Sequence, residues 1–398
     1  MSVVWTGYAS FFLLGWCMLL APSLIRDIEA EYSKSDAAMG LAYLLFSLAW
    51  VGGTISSGVL AARLPRRLLM GGSPVLIALG LAVMATAGAW GVFLAGFLVF
   101  GFGLGIIDSG MNAVFMDLFP TRQAAALNRL HLWVAVGALA GPVTIGRMVG
   151  AGVPWQSVVA ATAVGAAIIA AALLSRHLPP TQHGPIASAT GAQRAAPSSP
   201  AKRHVPLPVL LLSIAIGCYV ATEMGVTGWL VRYLDDAPIE VATLALSMFW
   251  GGVAVGRLLT SYLADRIGAV VLAATWSVLF GVAILASLMA PTVWIAIACF
   301  MIAGLAAGPV YPMIMAIGGS LYPDRTSMVS SVLASAAIVG SIVYPPLMGP
   351  LSETAGLAVG ILGAALFSFA AAALIFMAAR MARAGRGVTL ARTRASQG

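Results

Sequence analysis

Charge is what this chain has least of. Asp, Glu, Lys and Arg together make up 9% of its 398 residues, while 61% are hydrophobic. A soluble domain carries about a quarter charged residues, so the scarcity excludes a water-soluble globular protein and points to a membrane protein. Cysteine is nearly missing as well. Cys17, Cys218 and Cys299 fall inside apolar runs with no partner spacing, which excludes a disulfide framework or a cysteine metal site and leaves small core residues. The chain also lacks H-E-x-x-H, G-x-S-x-G, a Cys/His cluster and the phosphate loop G-x-x-x-x-G-K-[ST]. No enzyme, no cofactor and no metal are therefore expected, and a membrane-embedded enzyme using two buried acids stands as a distant alternative. The net charge of +8 brings nucleic acid to mind. No basic helix with interleaved aromatics is offered to a phosphate backbone, so no nucleic-acid partner is expected.

Long apolar runs are what the chain has. Twelve stretches of about 20 residues or more recur, from 5–25 through 292–321 to 355–379. The first, Trp5 to Leu24, has no basic leader and reads as a spanning helix rather than a cleaved signal. Between the sixth and seventh runs lies a stretch rich in Pro, Ser, Ala and Gly without apolar period, a flexible polar linker. The expected plan is a six-helix bundle over residues 1–176, a linker over 177–206, a second six-helix bundle over 207–380 and a basic tail over 381–398. Both bundles are all-α and embedded in membrane lipid, and a monomer is expected.

Orientation follows from Lys and Arg. One set of loops, with the tail, holds Arg63, Arg66, Arg67, Arg122, Arg129, Arg176, Arg266, Arg325 and Arg380, whereas the other holds Arg26, Lys34 and Arg232. Acids gather in the second set: Asp27, Glu29, Glu31, Asp36, Asp235, Asp236, Glu240 and Glu353. The positive-inside rule then places both termini in the cytoplasm and the protein in the inner membrane. The basic excess is topological.

Few charges interrupt the spans. Asp108 lies in GLGIIDSGMN with Asn112 one turn on, and Glu223 lies in YVATEMGVTGW between Tyr219 and Thr227. Spacing of four puts each set on one helix face. A carboxyl group at membrane depth costs a few kcal/mol and reads by default as functional, so Asp108 and Glu223 are the candidate proton-coupling groups. Asn112 can hold a protonated acid or a solute hydroxyl with either end of its amide. Gly225 and Gly228 permit a helix break there; Trp229 and Tyr233 then either turn toward a cavity or sit in an interfacial aromatic belt. His131, near the start of the fifth span, is either a titrating site residue or an interfacial one. Tyr311 stands between Pro309 and Pro312, which should kink the tenth span as a gating point or as a plain bend. Arg147 and Arg257 read as structural partners of acids.

The halves echo one another. GVLAARLPRR (Gly58–Arg67) follows the second span and SYLADRIGA (Ser261–Ala269) the eighth. These turns, with twelve spans in two halves, resemble the major facilitator superfamily, whose hallmark there is G-x-L-A-D-R-x-G-R-R. Asp265, Arg266 and Gly268 match it, as do Gly58, Arg63, Arg66 and Arg67, while Ala62 and Pro65 depart from it. The resemblance implies a gating role for Arg63, Arg66, Arg67, Asp265 and Arg266. GLGIIDSGMN, NRLHLWVAVGALAGP and YVATEMGVTGW are similar to the fucose–galactose–glucose proton symporter branch, where an acid followed by Asn on the fourth helix takes part in proton coupling. That role would fall to Asp108 and Asn112. The branch's acid on the first helix has no counterpart here. Gly137-x-x-x-Gly141-Pro142 partly resembles the motif of drug antiporters. The function expected is proton-coupled transport of a small polar, sugar-like solute by alternating access, with Asn112, His131, Tyr219, Thr227, Trp229 and Tyr311 on the solute. The alternative is a proton-coupled antiporter expelling amphipathic drugs.

Overall fold

The computed structural model describes residues 3–178 and 205–395, with side chains to 382 except Ala124, Ser261, Ala264 and Asp265. Without water to hydrate it, a backbone crossing lipid must satisfy itself internally, and all regular structure among the described residues is helical. In chain order the helices are α1 (Val3–Met18), α2 (Leu20–Ser23), α3 (Ile25–Tyr32), α4 (Asp36–Leu60), α5 (Arg66–Thr86), α6 (Trp90–Leu118), α7 (Gln123–Gly150) and α8 (Trp155–Leu174). Then come α9 (Leu207–Tyr233), α10 (Ile239–Ile267), α11 (Ala269–Leu288), α12 (Val293–Ala307), α13 (Val310–Leu321), α14 (Thr326–Ala355) and α15 (Leu357–Ala395). Eleven spans, counting α12 with α13 as one, are long and apolar enough to cross a membrane, and α1 is a shorter apolar helix. Most of linker 177–206, and the tail's side chains past 382, lie outside the described residues.

Two spans depart from single regular helices. The first breaks at Leu19 and Leu24, whose ψ values of 3° and 9° leave helical geometry on either side of Pro22. The tenth breaks at Gly308–Pro309, as its prolines lead one to expect. By contrast α9 runs unbroken through Gly225 and Gly228. Glycine permits a break but does not force one, and proline alone does not either, since α5, α7 and α14 run on through Pro74, Pro142, Pro345, Pro346 and Pro350.

The chain forms two compact units. The first holds α1 to α8, the Val226–Gly251 stretch of α9 and α10, and Pro345–Gly360. In it α1 packs on α7, α4 on α6, and α5 on both α6 and α8. Close approach depends on missing side chains: a Cβ on Gly137 of α7 would run into the Phe12 carbonyl of α1, and one on Gly105 of α6 into the Trp50 carbonyl of α4. At the basic end Arg66 pairs with Asp117 at 2.6 Å, both largely buried, tying the start of α5 to the end of α6. At the acid-rich end the Arg26 guanidinium donates to the carbonyls of Val231, in the last turn of α9, and of Leu234 and Ala237 just beyond it.

The second unit takes α9 up to Gly225, Gly252–Tyr344, and α15 from Ile361. There α11 packs on α12 and α13. Thr222 donates to the Ala364 carbonyl at 2.8 Å and Ser368 to the Ser277 carbonyl at 2.8 Å, so α15 is pinned to α9 and α11 by hydroxyls. Cys17, Cys218 and Cys299 are free thiols.

Candidate functional site

In the first unit the polar residues of α6 join a chain across three helices. Asn112 turns its Nδ2 toward Asp108, donating to that residue's backbone carbonyl at 2.9 Å and its carboxyl Oδ1 at 3.4 Å. Its Oδ1 faces Nε2 of His131 on α7 at 3.1 Å. With the amide so placed, His131 is the donor and carries its proton on Nε2. On the other side, the Trp50 side chain of α4 hydrogen-bonds the Asp108 carboxyl group. Four residues thus make one sequence of contacts, Trp50–Asp108–Asn112–His131. Asp108 and Asn112 are half-buried and His131 is exposed. Among the described residues Asp108 has no ion pair. Beside it, the Ser109 hydroxyl is buried with no hydrogen-bond partner among the described residues.

An aromatic wall from α1 and α7 adjoins this chain. Tyr8 stacks on Trp133 with ring centroids 5.8 Å apart and tilts against Phe115, one turn beyond Asn112. Trp5, 56% exposed, sets its edge on both Tyr8 and Trp133. Phe11 meets the His131 ring edge-on at 5.3 Å. Trp50, Tyr8 and Trp133 escaped notice in the sequence. Periodicity reports which residues share a helix face, not which side chain arrives from another helix.

The second unit has a different arrangement. The Tyr219 hydroxyl donates to Glu223 Oε1 at 2.6 Å, and both side chains are buried. Arg257 of α10 and Tyr311 of α13 lie within electrostatic reach of Glu223. Arg257 also donates its Nε to the Gly308 carbonyl at 3.1 Å. That carbonyl's helical partner would be the N–H of residue 312, which is a proline and has none. One cation therefore serves both the broken helix and the buried acid, a fuller role than pairing alone.

The remaining candidates are placed as follows. Trp229 is fully buried, donates its Nε1 to the Pro345 carbonyl at 2.8 Å and sets its edge on Tyr43, so the interfacial-belt reading does not hold for it. Thr227 is buried, with its hydroxyl unpaired among the described residues. Arg63, Arg67 and Arg266 are exposed, while Arg66 engages Asp117 rather than the acid that Ala62 replaces. The Asp265 side chain lies outside the described residues.

The sequence matches the family described as Major Facilitator Superfamily over residues 4–269 and again over 236–395. Among curated proteins it is similar to sodium-dependent glucose transporter 1A of Mus musculus, 26% identical over 136 residues, which are 34% of this chain and 32% of that protein. It is similar also to sodium-dependent glucose transporter 1 of Rattus norvegicus, 24% identical over 34% of this chain and 28% of that protein. The match thus spans about a third of the length of these relatives or less. A bacterial homolog of the human lysosomal transporter Spinster, inward-facing and occupied, superposes with a TM-score of 0.79 at 16% identity, covering 95% of this chain and 96% of that one. FucP in the outward conformation superposes with a TM-score of 0.61 at 19% identity, covering 96% and 99%.

Proposed function

The chain belongs to the Major Facilitator Superfamily, and from that premise we propose that it is a proton-coupled carrier of a small sugar-like solute working by alternating access. That it is an integral membrane transporter and not an enzyme follows from the family and the apolar spans. The finer reading rests on one observation: Asp108 sits in a span with hydrogen-bond donors around it and, among the described residues, no ion pair. A carboxyl group without a fixed counter-ion is expensive to ionise in a low-dielectric place, so its charge changes with its access to water on one side or the other. Glu223 differs, having a phenol donor and Arg257 to compensate its charge. In this reading Asp108 couples the proton, while Glu223, with Tyr219 and Tyr311, holds solute hydroxyls. Asn112 and His131 extend the proton site, and the acid-rich end faces outward with both termini in the cytoplasm.

The names of the curated relatives raise sodium as the coupling ion. Sodium is a hard cation that needs several oxygen ligands, as calcium and magnesium do. The Asp108 carboxyl instead faces the amide N–H of Asn112 and the Trp50 side chain, which favours a proton. In proteoliposomes, an inward acid gradient without sodium is expected to drive hexose accumulation. Asp108→Asn should abolish that accumulation and leave solute counterflow intact. Accumulation by the variant equal to that of the parent protein would overturn the coupling role. An amphipathic dye expelled in exchange for protons, with no hexose accumulation, would favour the exporter reading instead.

A further inference from the structure

A second group of acids lies at the acid-rich end, away from Asp108, and its geometry calls for a proton. Glu29 of α3 and Asp36 of α4 are each 8% exposed. Both turn to a single donor, the Arg232 Nε of α9, which lies 2.9 Å from Glu29 Oε2 and 2.9 Å from Asp36 Oδ1. The two carboxyl groups also meet each other within hydrogen-bonding range. Two carboxylates have no hydrogen between them to share. Consistent with that, Glu29 Oε1 is buried and has no donor among the described residues. A proton on one acid turns a repulsive contact into a hydrogen bond.

The surrounding charges do not supply a substitute. Arg232 is divided further, its Nη1 pairing with Asp235 at 2.8 Å. Arg26 is held by α9 carbonyls and by Asp235 at 3.2 Å. From α14, Ser352 donates to Asp36 Oδ2, and Glu353 accepts the Ala37 N–H at 2.8 Å. On α3 itself, Asp27 and Glu31 add negative charge, with Glu31 bonded to Gln156 of α8 at 3.2 Å. Asp236 and Glu240 on the α9–α10 side are acids as well, and Lys34 is the remaining cation nearby in the chain. The Tyr43 hydroxyl of α4, also near both acids, is directed to the Gly228 carbonyl at 3.1 Å.

We propose that Glu29 and Asp36 form a proton-binding latch with Arg232, occupied when the acid-rich ends of α3, α4, α9 and α14 are together and emptied when they part. This site is a gate sensor rather than the transported proton's carrier, since parting returns the proton to the side from which it came. Burial and the neighbouring Asp36, only partly offset by Arg232, push Glu29 up to about 8 from its ordinary 4.5. The sign follows. Closure takes up a proton, so the stabilisation of the closed latch is complete below the ordinary value and is lost as pH rises through about 8. Between pH 6 and pH 9 the closed-to-open ratio should fall on the order of a hundredfold.

The proposal rests on alternating access but not on Asp108. To test it, the three native cysteines are replaced and nitroxide labels attached to Gly88→Cys and Thr354→Cys. Both sites are exposed, and the first has open space around it. Electron-spin distance measurements in nanodiscs should give one short population at pH 6 and a growing longer one toward pH 9, with the ratio of the two levelling off above about 8. Glu29→Gln, which keeps the shape of the protonated acid, should hold the short distance at every pH. Glu29→Asp, less able to reach Asp36, should move that levelling-off toward the ordinary carboxyl range and serves if the amide variant does not fold. A distance that responds to solute but not to pH, or a pH response that Glu29→Gln leaves in place, overturns the latch alone. A distance that nothing changes overturns alternating access at this end as well.

Discussion

Asn112 carries more than its single amide suggests, because it is the link between two groups that the chain places on different helices. Its two ends are used differently, Nδ2 toward Asp108 and Oδ1 toward His131. Asn112→Leu keeps the volume and removes both bonds. Gradient-driven uptake should fall at least tenfold. Melting temperature should fall with the loss of about 1 kcal/mol, the usual net worth of such bonds. Uptake in proteoliposomes and a thermal-unfolding scan read the two effects separately, and unchanged uptake would remove Asn112 from the coupling path. At this scale the sequence was informative wherever polarity was out of place. Asp108, Asn112 and Glu223 stand out because an apolar run makes them costly. Trp50, Tyr8 and Trp133 do not, since an aromatic residue in a span is ordinary packing material until its neighbour is known. Glu29 and Asp36 read as loop acids for a similar reason: nothing local marks them as buried against Arg232, about 200 residues away in the chain.

At the scale of elements, proline and glycine behave differently, and the tenth span illustrates the consequence. Its break was legible, because Pro309 and Pro312 each remove a helical donor. The repair was not. The Gly308 carbonyl that Pro312 leaves unserved accepts from Arg257, on a helix about fifty residues earlier in the chain. Arg257→Leu therefore both orphans a carbonyl and strips Glu223 of its nearby cation. The first loss alone costs about 1–3 kcal/mol. In a Pro312→Ala background residue 312 has an N–H again, the carbonyl has its own partner, and that share of the cost should vanish. A double-mutant cycle by thermal unfolding in detergent isolates it. Additive penalties would mean that Arg257 acts on Glu223 only. The α9 helix makes the converse point: Gly225 and Gly228 lower the cost of bending, but an unbroken ladder of backbone bonds remains the default where nothing removes a donor.

For the molecule as a whole, the apolar runs were legible from hydropathy, because lipid allows a chain few ways to cross it. How the halves share their ends was not. The first compact unit includes Val226–Gly251 and Pro345–Gly360 from the second half of the chain. Those pieces bring groups that the first half cannot provide for itself. Arg232 meets Glu29 and Asp36, Ser247 accepts the Val143 N–H at 2.9 Å, and the Gly228 carbonyl accepts from Tyr43. Deprived of them, residues 1–176 would keep two acids near one another without Arg232, and the loss of a partner to a buried charge costs about 3–5 kcal/mol. The whole stability of a domain is about 5–15 kcal/mol, so that loss is a large share of it. Expressed alone, the first half should be degraded or recovered only at low yield. Expressed together with the second half, from a gene cut within the polar linker, it should return to the membrane fraction in amounts close to those of the intact chain. Asp36→Asn with Glu29→Gln, which removes both negative charges, should partly rescue the lone half. Quantitative blotting of membranes decides the matter: a first half that accumulates by itself as well as the joined protein would mean that these long-range contacts contribute little to its stability, and that the six-helix half is the unit that folds.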